Sequence, residues 1–273
     1  MQPISRTAFY CCGVRMRDAE ARKPVCNDTY AKVFMNEEGL QIYEAFKNEI
    51  CANASNATRH RIIDDLLRQE LGRDPNLQMV LIGAGFDSRA FRLHGGKWVE
   101  FDEPQIITYK NERLPPRGCK NELHRVSIDF ATESLEQKLS AFSGDTATVF
   151  VIEGVFMYLD ADAIRHLLQT LRRLFPRQKL ICDLMSRRFF EKYSRSLHRK
   201  IMGLGTSFII ADDPKMMFAE NGYRLTEKIS VVGRAVELGS LKVPRILFRI
   251  FLRTLSSGYA IHTFEPIKTA ADH

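Results

Sequence analysis

Two glycines follow directly on an apolar run in the sequence LIGAGFDSRAFRL, which occupies residues 81–93. Gly83 and Gly85 have no Cβ atom, so the backbone can approach a ligand closely at this point. Asp102 ends the next apolar run, and its carboxylate can accept hydrogen bonds from both hydroxyls of a ribose. Ser88 stands where a dinucleotide-binding G-x-G-x-x-G motif has its third glycine. The pattern favours an adenosine ligand without a pyrophosphate, although a turn that begins at Asp102 would also explain that residue.

Apolar runs of strand length recur along the chain, and helix-like segments separate most of them. They cover residues 78–82, 97–101, 124–128, 148–152 and 179–182. This alternation predicts an α/β fold with a mostly parallel sheet and helices on both faces. Ligands of such sheets bind beyond the carboxyl ends of the strands, where the strand order reverses. We therefore expect Gly83, Gly85 and Asp102 to lie together at that edge.

Helical patterns surround these runs. Residues 57–71 have the one-sided apolar stripe of an amphipathic helix, and the segment that begins at Asp160 predicts a second helix that ends before Pro176. The region after the fifth run predicts a helix to about residue 203, a helix from 213, a strand over 225–232, a helix over 244–255 and a strand over 258–265. No linker divides the chain. We expect one domain, with an N-terminal helical cap (1–76), a cofactor-binding core (77–185), and lid helices with the final strands (186–273).

The composition narrows the class of protein. With 45% hydrophobic and 27% charged residues, the chain of 273 residues has the profile of a globular protein. Six cysteines without a C-x-x-C pair argue against structural zinc and against a disulfide scaffold, and we expect no metal. No apolar run is long enough to span a bilayer, and the N-terminal residues do not resemble a secretory signal. We therefore expect a cytoplasmic protein.

The net charge of +7 raises the question of an anionic partner. The excess is modest and no RNA-binding module is evident, so we expect no nucleic acid. A basic amphipathic pattern over 242–255 fits either a helix on a membrane surface or a lid helix, and we favour the lid. A second basic segment, 186–200, has one helical stripe of cations beside an apolar stripe. The cations, which we expect to face the entrance of a site for an anionic acceptor, are Arg188, Lys192, Arg195 and Arg199.

Several linked motifs resemble the leucine carboxyl methyltransferase family. They are GAGFDSRAFRL, VEFDEP and VIEGVFMYLDADAI, together with ISRTAFYCCGVR and NDTYAKVF upstream. The resemblance covers about residues 4–185 and is strongest with the bacterial branch, which includes O-methyltransferases of polyketide biosynthesis. It implies a class I methyltransferase fold, in which a Rossmann-like sheet of seven strands ends in an antiparallel strand and a helical lid covers the substrate.

The resemblance also implies a function. S-adenosyl-L-methionine would be the cofactor, and the methyl acceptor would be a carboxylate or phenolic hydroxyl of a small molecule, which makes the protein an O-methyltransferase. The alternatives are a protein C-terminal carboxyl methyltransferase and a basic nucleic-acid-binding protein with a cofactor-like fold.

The resemblance assigns roles to residues at the carboxyl edge of the sheet. Gly83 and Gly85 would approach the methionine part of the cofactor, and Asp102 would bind the ribose. Asp129 and Phe130, which follow the third strand, would hold the adenine.

Three charged residues would meet the amino-acid end of the cofactor. Glu153 would favour the ammonium and the sulfonium electrostatically. Arg59 would bind the carboxylate through its guanidinium fork, which a lysine cannot reproduce, and Arg15 matches a second basic contact. We expect Glu153 and Arg59 to hold this end of the cofactor from opposite sides.

The residues alone also permit structural roles. Arg59 fits a charge on the surface of a helix, and Asp129 fits the cap of a helix that begins near Thr132. Tyr158 fits a core aromatic as well as a hydroxyl at the acceptor site, and no general base stands out. Glu153 needs a partner, because an acid at the end of the apolar strand TVFVI is costly to bury alone.

Overall fold

A computed structural model describes residues 3–211, 214–242 and 257–267 of the chain. Its seven strands form one sheet in the order β3-β2-β1-β4-β5-β7-β6. The strands are β1 (Gln78–Ile82), β2 (Lys97–Asp102), β3 (Glu122–Ser127), β4 (Thr148–Ile152), β5 (Gln178–Met185), β6 (Tyr223–Ser230) and β7 (Tyr259–Pro266). The first five strands are parallel, whereas β7 runs antiparallel to both β5 and β6. The predicted α/β fold with a mostly parallel sheet and an antiparallel last strand is confirmed.

Helices precede the sheet and connect its strands. They are α1 (Pro3–Ala19), α2 (Ala31–Phe34), α3 (Glu37–Phe46), α4 (Ile50–Arg73), α5 (Arg89–Arg92), α6 (Pro104–Arg113), α7 (Leu135–Ser140), α8 (Ala161–Leu174), α9 (Arg187–Phe189), α10 (Arg195–Gly203), α11 (Pro214–Glu220) and α12 (Val231–Glu237). A π-helical turn, Phe190–Ser194, joins α9 to α10. Short 3-10 turns cover Pro116–Gly118 and Phe156–Tyr158.

Both faces of the central strands are buried. In β1, Met79 and Leu81 belong to the apolar cluster under α4, whereas Val80 and Ile82 belong to the cluster under α8. Because successive side chains of a strand point to opposite faces, a strand covered on both sides is apolar throughout. This burial explains the uninterrupted apolar runs of the sequence.

Local signals determine several helix ends. The Asp160 carboxylate accepts a hydrogen bond from the Ala163 N–H (2.8 Å) and caps α8, which ends before Pro176 as predicted. The strand predicted over 225–232 ends at Ser230 instead, because the Ser230 hydroxyl accepts from the Gly233 N–H (2.9 Å) and starts α12. The helix predicted over 244–255 lies outside the described residues.

The N-terminal helices form a third apolar cluster against the loop that follows β1. Phe86 of that loop packs between the rings of Phe9 and Phe34, with ring centroids 4.8 and 5.3 Å away. The cap and the glycine loop are therefore held together by aromatic contacts. None of the helices in the described part of the chain is both long and apolar enough to cross a membrane.

Candidate functional site

A cavity of about 1220 Å³ lies at the carboxyl edge of the sheet, where β1 and β4 are neighbours. Strand order reverses between these two strands, which is where sheets of this type bind ligands. The cavity lining brings together most of the residues singled out from the sequence: Arg15, Arg59, Gly83, Gly85, Asp102, Phe130, Glu153 and Tyr158. Asp129 is not part of the lining.

The loop after β1 requires glycine. Gly83 has a φ of 70°, and a Cβ atom there would lie 2.5 Å from Cγ2 of Val155. Gly85 has a φ of 48°, also in the left-handed region that disfavours side chains. Ser88 replaces the third glycine because its hydroxyl is structural: it donates to Asp28 (2.6 Å) and accepts from Arg92 (2.9 Å).

Asp102 fastens this loop to the end of β2. Its carboxylate accepts hydrogen bonds from the N–H of Gly85 (2.6 Å) and from the N–H of Glu103 (2.7 Å). Burial raises the pKa of Asp102 to about 6, against the lowering effect of these two N–H groups. A carboxylate has lone pairs beyond the two used here, so Asp102 serves the turn and still presents acceptor capacity to the cavity.

Phe130 and Asp129 differ in their relation to the cavity. Phe130 lines it, with 41% of the residue exposed. The Asp129 carboxylate accepts from the N–H of Ala131 (2.9 Å) and so stabilises the turn that carries Phe130. Asp129 does not cap a helix, because α7 begins at Leu135 and is capped by Ser134.

Arg15 lies on α1 and is almost completely buried. Its guanidinium donates to Asp28 (3.0 Å) and to the carbonyl of Phe86 (2.7 Å). Burial would raise the pKa of Asp28, but the guanidiniums of Arg15 and Arg92 hold it at about 2. Arg15 thus connects the N-terminal cap to the glycine loop, and it lines the cavity beside that loop.

Glu153 has the partners that its position demands. Oε1 accepts from Nε of Arg59 (2.8 Å), and Oε2 lies 2.8 Å from Nη2 of Arg89 and 3.5 Å from Nδ1 of His60. Burial opposes ionisation, but Arg89 and Arg59 hold the pKa of Glu153 well below its usual range. Glu153 and Arg59, the two expected partners of the cofactor, therefore contact each other in this structure. That they hold the amino-acid end of the cofactor stays a prediction.

Arg89, which pairs with Glu153, was not among the site residues predicted from the sequence. It is completely buried and forms ion pairs with Asp64 (2.7 Å), with Asp87 and with Glu153 (2.8 Å). The oxygens and nitrogen of Asp87, Glu153 and His60 lie within 4.8 Å of one another, as in a metal site. The Arg89 guanidinium contacts all three, so a side-chain cation already compensates these acids.

Arg59 is buried, so the expectation of a charge on the helix surface is wrong. Its Nε donates to Glu153 (2.8 Å), and its Nη1 donates to Asp183 (3.1 Å) and to the hydroxyl of Tyr259 (3.1 Å). Among the residues that the structure describes, Nη2 has only a distant contact, 3.9 Å, with Sγ of Cys11. In this structure Nε and Nη1 of Arg59 are thus paired with protein groups, and the binding of a carboxylate by its guanidinium stays a prediction.

Tyr158 lines the cavity in a half-buried position. Its ring packs edge-on against Phe208 (centroids 5.4 Å apart). Burial raises the pKa of Tyr158, so its hydroxyl stays protonated and suits a hydrogen-bonding or shape-determining role better than that of a base.

The lid segment, residues 187–203, faces the cavity with its apolar side. Phe189, Tyr193 and Leu197 line the cavity. The four cations of the basic stripe are exposed and none of them contributes to the lining. The expectation that these cations face the site is therefore wrong. Burying them without partners would cost more than leaving them in water.

The sequence profile of the leucine carboxyl methyltransferase family matches residues 8–172, which is more than half of the chain. The chain belongs to the leucine carboxyl methyltransferase family.

Relatives of this family member include proteins of Frankia alni and Mycolicibacterium smegmatis. A Frankia alni protein whose name describes an S-adenosyl-L-methionine-dependent methyltransferase is 30% identical to this chain over 182 residues. The aligned residues cover 63% of this chain and 65% of the relative. A similarly named protein of Mycolicibacterium smegmatis is 26% identical over 77% of this chain and 76% of the relative. The chain thus spans just under two thirds of the Frankia alni protein.

Solved structures confirm the fold of this leucine carboxyl methyltransferase family member. A DUF574 family protein of Streptomyces avermitilis has a TM-score of 0.59 at 12% identity, over 87% of this chain and 95% of that chain. A Thermobifida fusca protein assigned to the methyltransferases also has a TM-score of 0.59, at 13% identity over 94% of each chain. The family match ends within α8, so Asp183, the lid and β7 lie beyond it.

Replacing Glu153 with glutamine should destabilise the protein without cofactor, because Arg59 and Arg89 would lose their shared counter-charge. We expect the free energy of unfolding to fall by about 3 to 5 kcal/mol in denaturant titrations. The control is Asp162→Asn, which breaks the exposed pair with Arg165 and should cost about 0 to 1 kcal/mol. Equal losses in the two variants would contradict the importance of the buried network.

Replacing Asp102 with asparagine should destabilise the cofactor-free protein less at pH 7.5 than at pH 4. The amide nitrogen cannot accept one of the two N–H bonds at either pH, but the variant has no carboxylate whose ionisation is disfavoured by burial. The folded pKa is about 6, whereas the unfolded value is about 3.9. Between these values the unfolded chain releases a proton that the folded protein keeps, so stability falls as pH rises from about 4 to 6 and stays lowered above it. We expect the loss in unfolding free energy to be about 1 to 3 kcal/mol smaller at pH 7.5 than at pH 4. The same change in unfolding free energy at both pH values would show that Asp102 is not strained by burial.

Proposed function

We propose that the protein is an S-adenosyl-L-methionine-dependent O-methyltransferase whose acceptor is a mainly apolar molecule with a carboxylate or a phenolic hydroxyl. The observation that carries this proposal is one continuous cavity. It extends from Asp102 and the glycine loop, which suit an adenosine, to an apolar chamber under the lid.

The residues at the sheet edge fit this cofactor. Asp102 keeps acceptor capacity for ribose hydroxyls, and Phe130 presents an exposed ring for packing against adenine. Nη2 of Arg59 supplies a donor for a carboxylate, and the glycines allow close approach of the backbone. When bound, S-adenosyl-L-methionine supplies a methyl group that is activated by the positively charged sulfur.

The charges around this end of the cavity support the same assignment. Arg15 and Arg59 are the guanidiniums that line the described part of the cavity, and the described lining includes no lysine. Both arginines are paired with carboxylates, so their charges are largely compensated. The carboxylate of Asp102, which accepts from backbone N–H groups, favours a ligand that carries a positive charge at this end.

The acceptor chamber is apolar and aromatic. Its lining includes Tyr10, Ile50, Met157, Tyr158, Phe189, Tyr193, Leu197, Ile201 and Phe208. Such a lining suits a molecule with an apolar body. No lysine or arginine of the described residues lines this part of the cavity. The positive charge that attracts an anionic oxygen of the acceptor would therefore be the sulfonium of the cofactor.

The protein would promote the reaction by positioning the acceptor and by excluding water. Methyl transfer is an in-line displacement, so holding the acceptor oxygen opposite the leaving sulfur accounts for much of the rate. The apolar face of the lid excludes water, which strengthens the attraction between an anionic acceptor and a cationic cofactor. A carboxylate acceptor needs no base, whereas a phenol must first lose its proton.

Calorimetric titration tests the cofactor assignment. S-adenosylhomocysteine, the product form, should bind more tightly than NAD, and Asp102→Ala should weaken it by about 1 to 3 kcal/mol. Because the pKa of Asp102 is about 6, the wild-type affinity should fall about tenfold from pH 7 to pH 5, a change that the alanine variant should lack. Asp162→Ala, on an exposed helix turn, is the control. Tighter binding of NAD would overturn the assignment.

An acceptor screen tests the reaction. Carboxylic acids, phenols and amines with apolar bodies are supplied with S-adenosyl-L-methionine, and release of S-adenosylhomocysteine is measured. We expect turnover of acids or phenols: at saturating S-adenosyl-L-methionine, the rate should be flat above about pH 5 for an acid and should rise toward pH 10 for a phenol. Charge reversal at Arg188 and Arg195 should leave the rate nearly unchanged, because both side chains lie outside the cavity. Turnover confined to amines would contradict O-methylation.

A further inference from the structure

We infer that Asp183 and Tyr259 are positioning residues that hold Arg59 ready for the amino-acid end of the cofactor. This inference rests on the proposed function and concerns two residues beyond the part of the chain that matches the family.

The three side chains form a closed set of hydrogen bonds. Nη1 of Arg59 donates to Oδ2 of Asp183 (3.1 Å) and to the hydroxyl oxygen of Tyr259 (3.1 Å). The Tyr259 hydroxyl in turn donates to Oδ2 of Asp183 (2.9 Å). Burial raises the pKa of Tyr259, so the hydroxyl keeps the proton that this bond requires. Each group therefore restrains the other two.

Asp183 also restrains the backbone beside Glu153. Its second oxygen, Oδ1, accepts from the N–H of Gly154 (2.6 Å). A Cβ atom on Gly154 would lie 3.3 to 3.4 Å from the two Nη atoms of Arg59, so the guanidinium is packed directly over this glycine. Asp183 thus fixes both the cation and the surface on which it lies.

The antiparallel direction of β7 makes this arrangement possible. Tyr259 is the first residue of β7 and pairs with Met185, the last residue of β5. A parallel strand would begin at the opposite edge of the sheet and bring its first residue there. Reversal of the last strand therefore delivers the Tyr259 hydroxyl to the carboxyl edge, where Tyr259 lines the cavity.

The consequence for binding is preorganisation. An arginine side chain has many rotamers and loses conformational entropy when it is fixed. Contacts at Nε and Nη1 fix Arg59 in the folded protein and leave Nη2 as the nitrogen available to a carboxylate. The entropy loss is then already incurred before a ligand binds.

The test compares two ligands on Tyr259→Phe. S-adenosylhomocysteine has an amino-acid end, whereas 5′-methylthioadenosine has the same adenosine and thioether without it. We expect the variant to bind S-adenosylhomocysteine about 3- to 10-fold more weakly than the wild type, while its affinity for 5′-methylthioadenosine changes less than about twofold. Asp183→Asn should give the same selective loss, to a larger extent.

Tyr223→Phe is the matched control, because the Tyr223 hydroxyl is also buried and donates to the carbonyl of Leu168 (3.1 Å) away from the cavity. It should alter neither affinity. Equal weakening of both ligands in Tyr259→Phe and Asp183→Asn would show a structural role only and would overturn the inference, as would unchanged binding of S-adenosylhomocysteine. If the wild type binds neither ligand, the proposed function fails; if it binds both, only the variant comparison decides this inference.

Discussion

The site depends on the ion pairs of one buried guanidinium, that of Arg89. It pairs with Asp64 of α4, with Asp87 of the loop after β1 and with Glu153 at the end of β4. Removing a charge from water is costly, and only complete pairing offsets that cost. Because the three acids belong to three separate elements, the geometry that satisfies Arg89 also fixes these elements relative to one another.

The ion pairs of Arg89 also determine where the side chains that line the cavity lie. Arg59 extends from α4 to Glu153, which Arg89 also holds, and the glycine loop is tied to β2 by Asp102. Some of these groups are held at a cost in stability. An ionised Asp102 is disfavoured by its burial, and such local cost is common where a group must bind a ligand. The ion pairs of Arg89 thus hold the site rigidly. Asp102, which we expect to bind the ligand, is the residue whose ionised form is destabilised by burial.

Much of the framework could be predicted from local patterns. Alternating apolar runs indicated the parallel sheet, and Gly83, Gly85 and Asp102 indicated its ligand-binding edge. The need of Glu153 for a partner also followed from its position. Arg89 and Tyr259 could not be found in this way, because Arg89 meets Glu153 and Tyr259 meets Arg59 across long stretches of chain that carry no shared pattern. The same is true of the lid. Its apolar stripe and its cationic stripe could be read from the sequence, but the tertiary structure determines that the apolar stripe lines the cavity.

A crystal structure of the complex with S-adenosylhomocysteine would show whether the cofactor binds at this edge of the sheet. We expect electron density for the adenosine between Asp102 and Phe130, with the ligand carboxylate at Nη2 of Arg59 and the network around Arg89 unchanged. Density for the adenosine in the apolar chamber under the lid, or a ligand carboxylate away from Arg59, would contradict this expectation.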